Sequence, residues 1–229
     1  MCFSAQASFL AAGLLTVIAI ASYAKATRPS YLLLAVIPLF FALQQYAEGI
    51  LWLSIPQGGP PWLLTGATYL FLTIAGFGWP FILSFTAFAL EKDPERKRVL
   101  AVFVGTAVLW ALVGGYHLFA YGITTAITES HILYTLNSPF LHAPWLGWYY
   151  CAAILLPFFI ASRRSLNLLG IAITLSCAVA YIFWYNHFLS VWCFFAALIS
   201  AASYFVLLSL KKEEITSEND RTESLEKQK

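Results

Sequence analysis

One carboxyl stands alone in the apolar body of this chain. Glu48 lies within the stretch from Tyr31 to Ile55, which holds no other charged residue. On membrane-insertion scales an acid near mid-helix costs roughly 2.5–3.5 kcal/mol, so its presence calls for a physical reason. Gln44 and Gln45 precede it by about one turn and Trp52 follows by one. At a spacing of four, Gln44, Glu48 and Trp52 share a helical face. Two roles are open. Glu48 is a candidate anion for binding or acid–base catalysis, or it is polar glue, a protonated acid hydrogen-bonded to a neighbouring helix.

Histidine and cysteine supply the remaining chemistry. Neutral imidazole ligates metals and titrates near neutral pH, and carboxylate or thiolate can complete a zinc shell. His117, His187 and Glu48 are therefore candidate ligands for zinc or another divalent metal, with His131 and His142 nearby in the chain. No HExxH-like motif is present, so such a site would have to be assembled from separate helices. Cys193 follows Trp192 and joins Gln44, Gln45, Glu48 and Trp52 as an expected pocket lining. Cys151 and Cys177 read as small apolar packers. Cys2 is a second candidate for catalysis, because removal of Met1 would leave a free amino group beside its thiol. No disulfide framework is expected. Gln44, Glu48, His117, His187 and Cys193 are expected to converge in one half of the bundle.

The elements that must position these groups follow from composition. Of 229 residues, 60% are hydrophobic, 17% aromatic and 10% charged. An average soluble domain is roughly 45–50% apolar and about 25% charged. A soluble enzyme is excluded on that ground, as is disorder of the chain body. The net charge of +2 gives no reason to expect nucleic acid. The pattern predicts an all-α polytopic membrane bundle of seven transmembrane helices in residues 1–210. Expected spans are Ala5–Tyr23, Tyr31–Ile55, Trp62–Leu90, Val99–Ala120, Trp145–Ala161, Leu166–Trp184 and His187–Leu210. Each approaches the roughly 20 residues a helix needs to cross a bilayer. Gly76, Gly78 and Pro80 offer the third span a place to bend. Residues 211–229 are densely charged and read as a disordered tail.

Charge also sets the expected threading. Every Lys and Arg before the tail lies at 25–28, 92–98 or 163–164. The positive-inside rule then places the amino terminus outside and the carboxyl terminus in the cytoplasm, in the cell (inner) membrane. Basic residues follow the first apolar stretch and do not precede it, so it reads as an uncleaved helix. The connection 121–144 is expected to fold over the outer mouth as a lid or interfacial helix. Trp62, Trp145, Trp148, Tyr149 and Tyr150 suit an aromatic belt.

Three stretches carry a resemblance. MCFSAQASF at 1–9, PLFFALQQYAEGILW at 38–52 and SVWCFFAALIS at 190–200 resemble a family of uncharacterised prokaryotic seven-helix membrane proteins. The resemblance implies family membership and no particular reaction. It points to Cys2, Ser4, Gln44, Gln45, Glu48, Gly49, Trp52, Ser190, Trp192 and Cys193. A weaker analogy with seven-helix zinc hydrolases of membranes lacks their Asp within a span.

Two functions compete on these residues. One is binding or sensing of a metal, haem or small lipid-like ligand in an outward-facing polar pocket. The other is metal-dependent hydrolysis, with Glu48 and the histidines activating water. A transporter ranks third, because a single intramembrane acid and no internal repeat give it thin support.

Overall fold

A computed structural model describes residues 4–128 and 131–226. Cys2 lies outside the described residues. The helices are α1 (Ala5–Lys25), α2 (Pro29–Gln57), α3 (Pro61–Leu90), α4 (Pro94–Tyr121), α5 (Pro144–Ile160), α6 (Arg164–Phe183), α7 (Phe188–Ser200) and α8 (Ala202–Glu226). Between α4 and α5 runs a hairpin of β1 (Ile123–Thr128) and β2 (His131–Leu136). Proline opens α2, α3, α4 and α5, where its missing N–H has no intrahelical partner to lose. Ser4 and Asp93 cap α1 and α4, accepting from the amides of Ala7 and Arg96.

Five of these helices, α1, α2, α3, α4 and α6, are long and apolar enough to cross a membrane. Trp145–Ile160 is apolar but shorter, and α7 meets α8 at a bend of 40°. The outer faces agree with a lipid surround. Leu109, Leu112, Tyr116 and Phe119 on α4 each expose 61–68% of their surface, an apolar stripe that water would not tolerate. The buried stripe of α1 is small, with Ser8, Ala12, Leu15, Ala19 and Ser22 set against the bundle. Small residues let helix backbones approach where lipid supplies no hydrophobic drive.

The charged connections meet at one end of the bundle. Lys211 Nζ donates to the Lys25 carbonyl, Arg163 pairs with Glu213 at 2.7 Å, and Arg96 donates to the Ile160 carbonyl. Glu91 binds Ser162 across two connections. The hairpin, His131, His142 and His187 belong to elements away from these connections, and His117 lies near the opposite end of α4 from its charged first turns.

One connection departs from expectation, and two other elements gain detail. The connection 121–144 holds a β-hairpin in place of an interfacial helix, so the fold is not purely helical. Its first strand, ITTAIT, is rich in β-branched residues, and its second, HILYTL, adds Ile132, Tyr134 and Thr135, which suit a half-buried ribbon; Thr128 pairs with His131. The polar segment from Lys211 continues α8 as helix to Glu226. Extending an existing helix avoids the cost of nucleating one. The break in α3 is a π-helical stretch at Thr73–Gly78. Trp79 N–H reaches back to the Ile74 carbonyl, which frees the Ala75 carbonyl for the hydroxyl of Tyr150. Pro80 has no N–H for the Gly76 carbonyl, and Trp110 Nε1 donates to it at 2.8 Å.

Close packing gives a first prediction. A Cβ on Gly170 would stand 2.6 Å from Phe158 Cβ, and Phe158 is fully buried. Gly170→Ala is expected to destabilise the bundle by about 1–3 kcal/mol through overpacking. Gly105, with nothing near its Cβ direction, is the control. Equal melting temperatures for Gly170→Ala and Gly105→Ala in micelles would refute the α5–α6 contact.

Candidate functional site

The middle of α2 presents three fully buried polar side chains in succession, Gln44, Gln45 and Glu48. Each is met by another group. Ser190 Oγ donates to Glu48 Oε1 at 2.6 Å, and Gln45 Nε2 reaches Glu48 Oε2 at 3.2 Å. Trp79 Nε1 donates to Gln44 Oε1 at 2.7 Å, and Gln44 Nε2 lies 3.6 Å from Cys193 Sγ. The network thus ties α2 to the break in α3 and to α7. Trp79 is held flat on Phe41, with ring centroids 3.9 Å apart.

Some polar atoms here remain unmatched. Gln45 Oε1, Trp52 Nε1 and Trp192 Nε1 are buried and find no hydrogen-bond partner among the described residues. Such atoms are uncommon in folded proteins and each asks for an explanation. Below Gln44, toward the charged end, Phe41, Trp79, Tyr150, Trp192 and Cys193 wall a cavity of about 30 Å³. Neither Glu48 nor Gln45 lines it. Above the network, Ser190 follows His187 by three residues, about 4.5 Å along a helix.

The histidines divide into two pairs. His187 Nε2 lies 3.0 Å from Thr128 Oγ1, and its ring stacks on His131 at 4.7 Å. His117 Nδ1 lies 2.9 Å from Ser138 Oγ, while His142 Nδ1 donates to the Ser138 carbonyl. The ring of His117 stacks on Phe140 and Tyr121. Among the described residues no three His, Cys, Asp or Glu side chains gather where they could hold a metal. Of the five groups expected to converge, Gln44 and Cys193 share one hydrogen-bonded group, and Glu48 belongs to the neighbouring one with Gln45 and Ser190. His117 and His187 are engaged by other partners and form no ligand set with Glu48. Sharing an end of the bundle is a weaker condition than sharing a site.

Sequence reasoning missed Trp79 as a member of this network. An indole in the middle of a span needs an acceptor, and that was the available signal. It also missed Glu91, whose carboxylate accepts four hydrogen bonds at the charged end.

A family model described as "Family of unknown function (DUF6629)" matches residues 1–220. The chain belongs to that family. No curated protein and no solved structure matches it. The match covers every residue of the Glu48 network and every helix up to the outer part of α8. Membership therefore applies to the whole bundle and assigns no reaction to it.

Proposed function

We propose that this family member is a seven-span protein of the cell membrane that binds or senses a small cation at Glu48. In this reading α5 is the fifth span and the bent pair α7–α8 the seventh. The amino terminus is outside and the tail cytoplasmic. Support for that orientation comes from the basic connections, which the positive-inside rule assigns to the cytoplasm. The site then opens outward beneath the hairpin, and the stretches around Cys2, Glu48 and Trp192 are its family motifs.

One observation carries the ligand class. Glu48 and Gln45 are fully buried side by side, and Gln45 Oε1 remains an unmatched acceptor beside the carboxyl. A carboxylate with an amide oxygen suits a cation that donates hydrogen bonds. Full burial of both side chains favours a compact species such as ammonium or methylammonium. The test compares thermal unfolding of the purified parent and Glu48→Gln in ammonium, methylammonium and sodium chloride at equal ionic strength. At a hundredfold excess over Kd a ligand adds about 2.7 kcal/mol, which raises the melting temperature measurably. The parent is expected to show that rise with the amines, and Glu48→Gln to fold and lose it. An equal rise in both proteins, or none in the parent, removes the proposal.

A further inference from the structure

A wider cleft lies at the other end of the molecule, away from Glu48. Its volume is about 330 Å³, well beyond the roughly 30 Å³ share of one water. Four cationic side chains from four separate parts of the chain line it: Arg28 before α2, Lys92 between α3 and α4, Lys97 on α4, and Arg163 before α6. Ser30 and Tyr31 bring the first turn of α2 to its wall. α2 is 29 residues long, and the amino-terminal end of a helix carries partial positive charge; Pro29 has no N–H, and the Tyr31 and Leu32 amides donate to the Arg28 carbonyl.

Among the described residues the one acid of the lining, Glu91, is already committed. Its Oε1 accepts from the amides of Lys92 and Asp93 and from Ser162 Oγ, and its Oε2 from the Ser162 amide. Arg163 pairs at the rim with Glu213, whose side chain is 48% exposed. An exposed pair of this kind contributes about 0–1 kcal/mol, so it competes weakly with an incoming anion. Lys97 is positioned by the ring of Phe88, 5.0 Å below its ammonium. The floor is different in character. Ala89, Leu90 and Leu210 close it with apolar surface at the margin of the lipid-facing helices.

From this arrangement we infer that the cleft binds a phosphate-bearing anion. Arginine and lysine converging with a helix amino terminus is the donor set phosphate selects. The basic rim above an apolar floor fits the headgroup of an anionic phospholipid, and the rim alone would serve a soluble phosphate. Basic pockets between membrane helices recognise phospholipid headgroups on the same physical basis. The site is independent of the Glu48 reading.

The experiment distinguishes the two sources. Purified protein is offered phosphatidylglycerol and phosphatidylcholine of identical acyl chains, and retained lipid is counted by native mass spectrometry. Inorganic phosphate is tested separately by thermal shift and by competition against phosphatidylglycerol. The variants are the double change Lys92→Gln with Lys97→Gln and, as control, Arg98→Gln with Arg164→Gln, which alters charges outside the lining. Each basic residue near an anionic surface is worth about 1 kcal/mol, so losing two lowers affinity about tenfold or more. The parent is expected to prefer phosphatidylglycerol about tenfold, the lining variant to lose that preference, and the control to keep it. Stabilisation by phosphate alone, lost in the lining variant, would assign the site to a soluble anion. Equal loss in lining variant and control overturns the cleft. So does a parent that responds neither to phosphatidylglycerol nor to phosphate.

Discussion

Glu91→Ala is expected to destabilise the protein by about 2–4 kcal/mol at neutral pH, from the loss of charge-assisted hydrogen bonds. The carboxylate is 2% exposed and accepts from three backbone amides and one hydroxyl at 2.6–2.8 Å. It fastens the α3–α4 connection to the α5–α6 connection, so its loss frees both. Burial pushes its pKa up, but the hydrogen bonds from Asp93, Ser162 and Lys92 outweigh that and hold it below the ordinary 4.5. A depressed folded-state pKa means the stabilisation is full above the unfolded value. It is lost as pH falls through the folded one. Melting temperatures of parent and Glu91→Gln, measured from pH 7 downward, should therefore converge in acid. The glutamine amide also turns a donor toward amides that need acceptors, so its size alone does not rescue the site. A constant gap between the two proteins across that range would show that the charge of Glu91 contributes nothing.

Five long apolar helices were legible because continuous apolar runs separated by basic clusters mark where each begins and ends. α1, α2, α3, α4 and α6 coincide with expected spans within a few residues. The break in α3 was also readable, since Pro80 must strand the Gly76 carbonyl. Its repair by Trp110 was not, because that contact joins residues 34 apart in the chain. The hairpin was hidden by its apolarity. ITTAIT and HILYTL look like the flanking helices in hydrophobicity and differ from them in β-branching, the property that decides their conformation. Glu91 escaped notice for a related reason. It sits among six other charged residues at 92–98, and composition does not say which one the connections enclose. The histidines erred in the opposite direction. Their common end was evident, but imidazoles at one end can pair with Thr128 and Ser138 as readily as with a metal.

Gln44 separates structural glue from function within the network. Replacing it by Leu keeps the volume but strands Trp79 Nε1, which is 2% exposed and donates to Gln44 at 2.7 Å. An unsatisfied buried donor costs about 1–3 kcal/mol, and Gln44→Leu also removes the contact with Cys193. Trp79→Phe strands Gln44 Oε1 in turn and thins the stack on Phe41. With the smaller ring it is expected to lose about 3 kcal/mol or more. In the double variant neither polar partner is left unmatched. The pair should therefore lose less than the sum of the single changes, by about 0.5–3 kcal/mol. Thermal unfolding of the four proteins in one detergent gives the cycle. Strict additivity would mean that the indole and the amide do not depend on each other. The same cycle applied to the ammonium response tells the two roles apart. Gln44 and Trp79 hold α2 against α3, so their double variant should keep the response that Glu48→Gln abolishes. Loss of the response in both would extend the binding site to Gln44 and leave the network without a purely structural half.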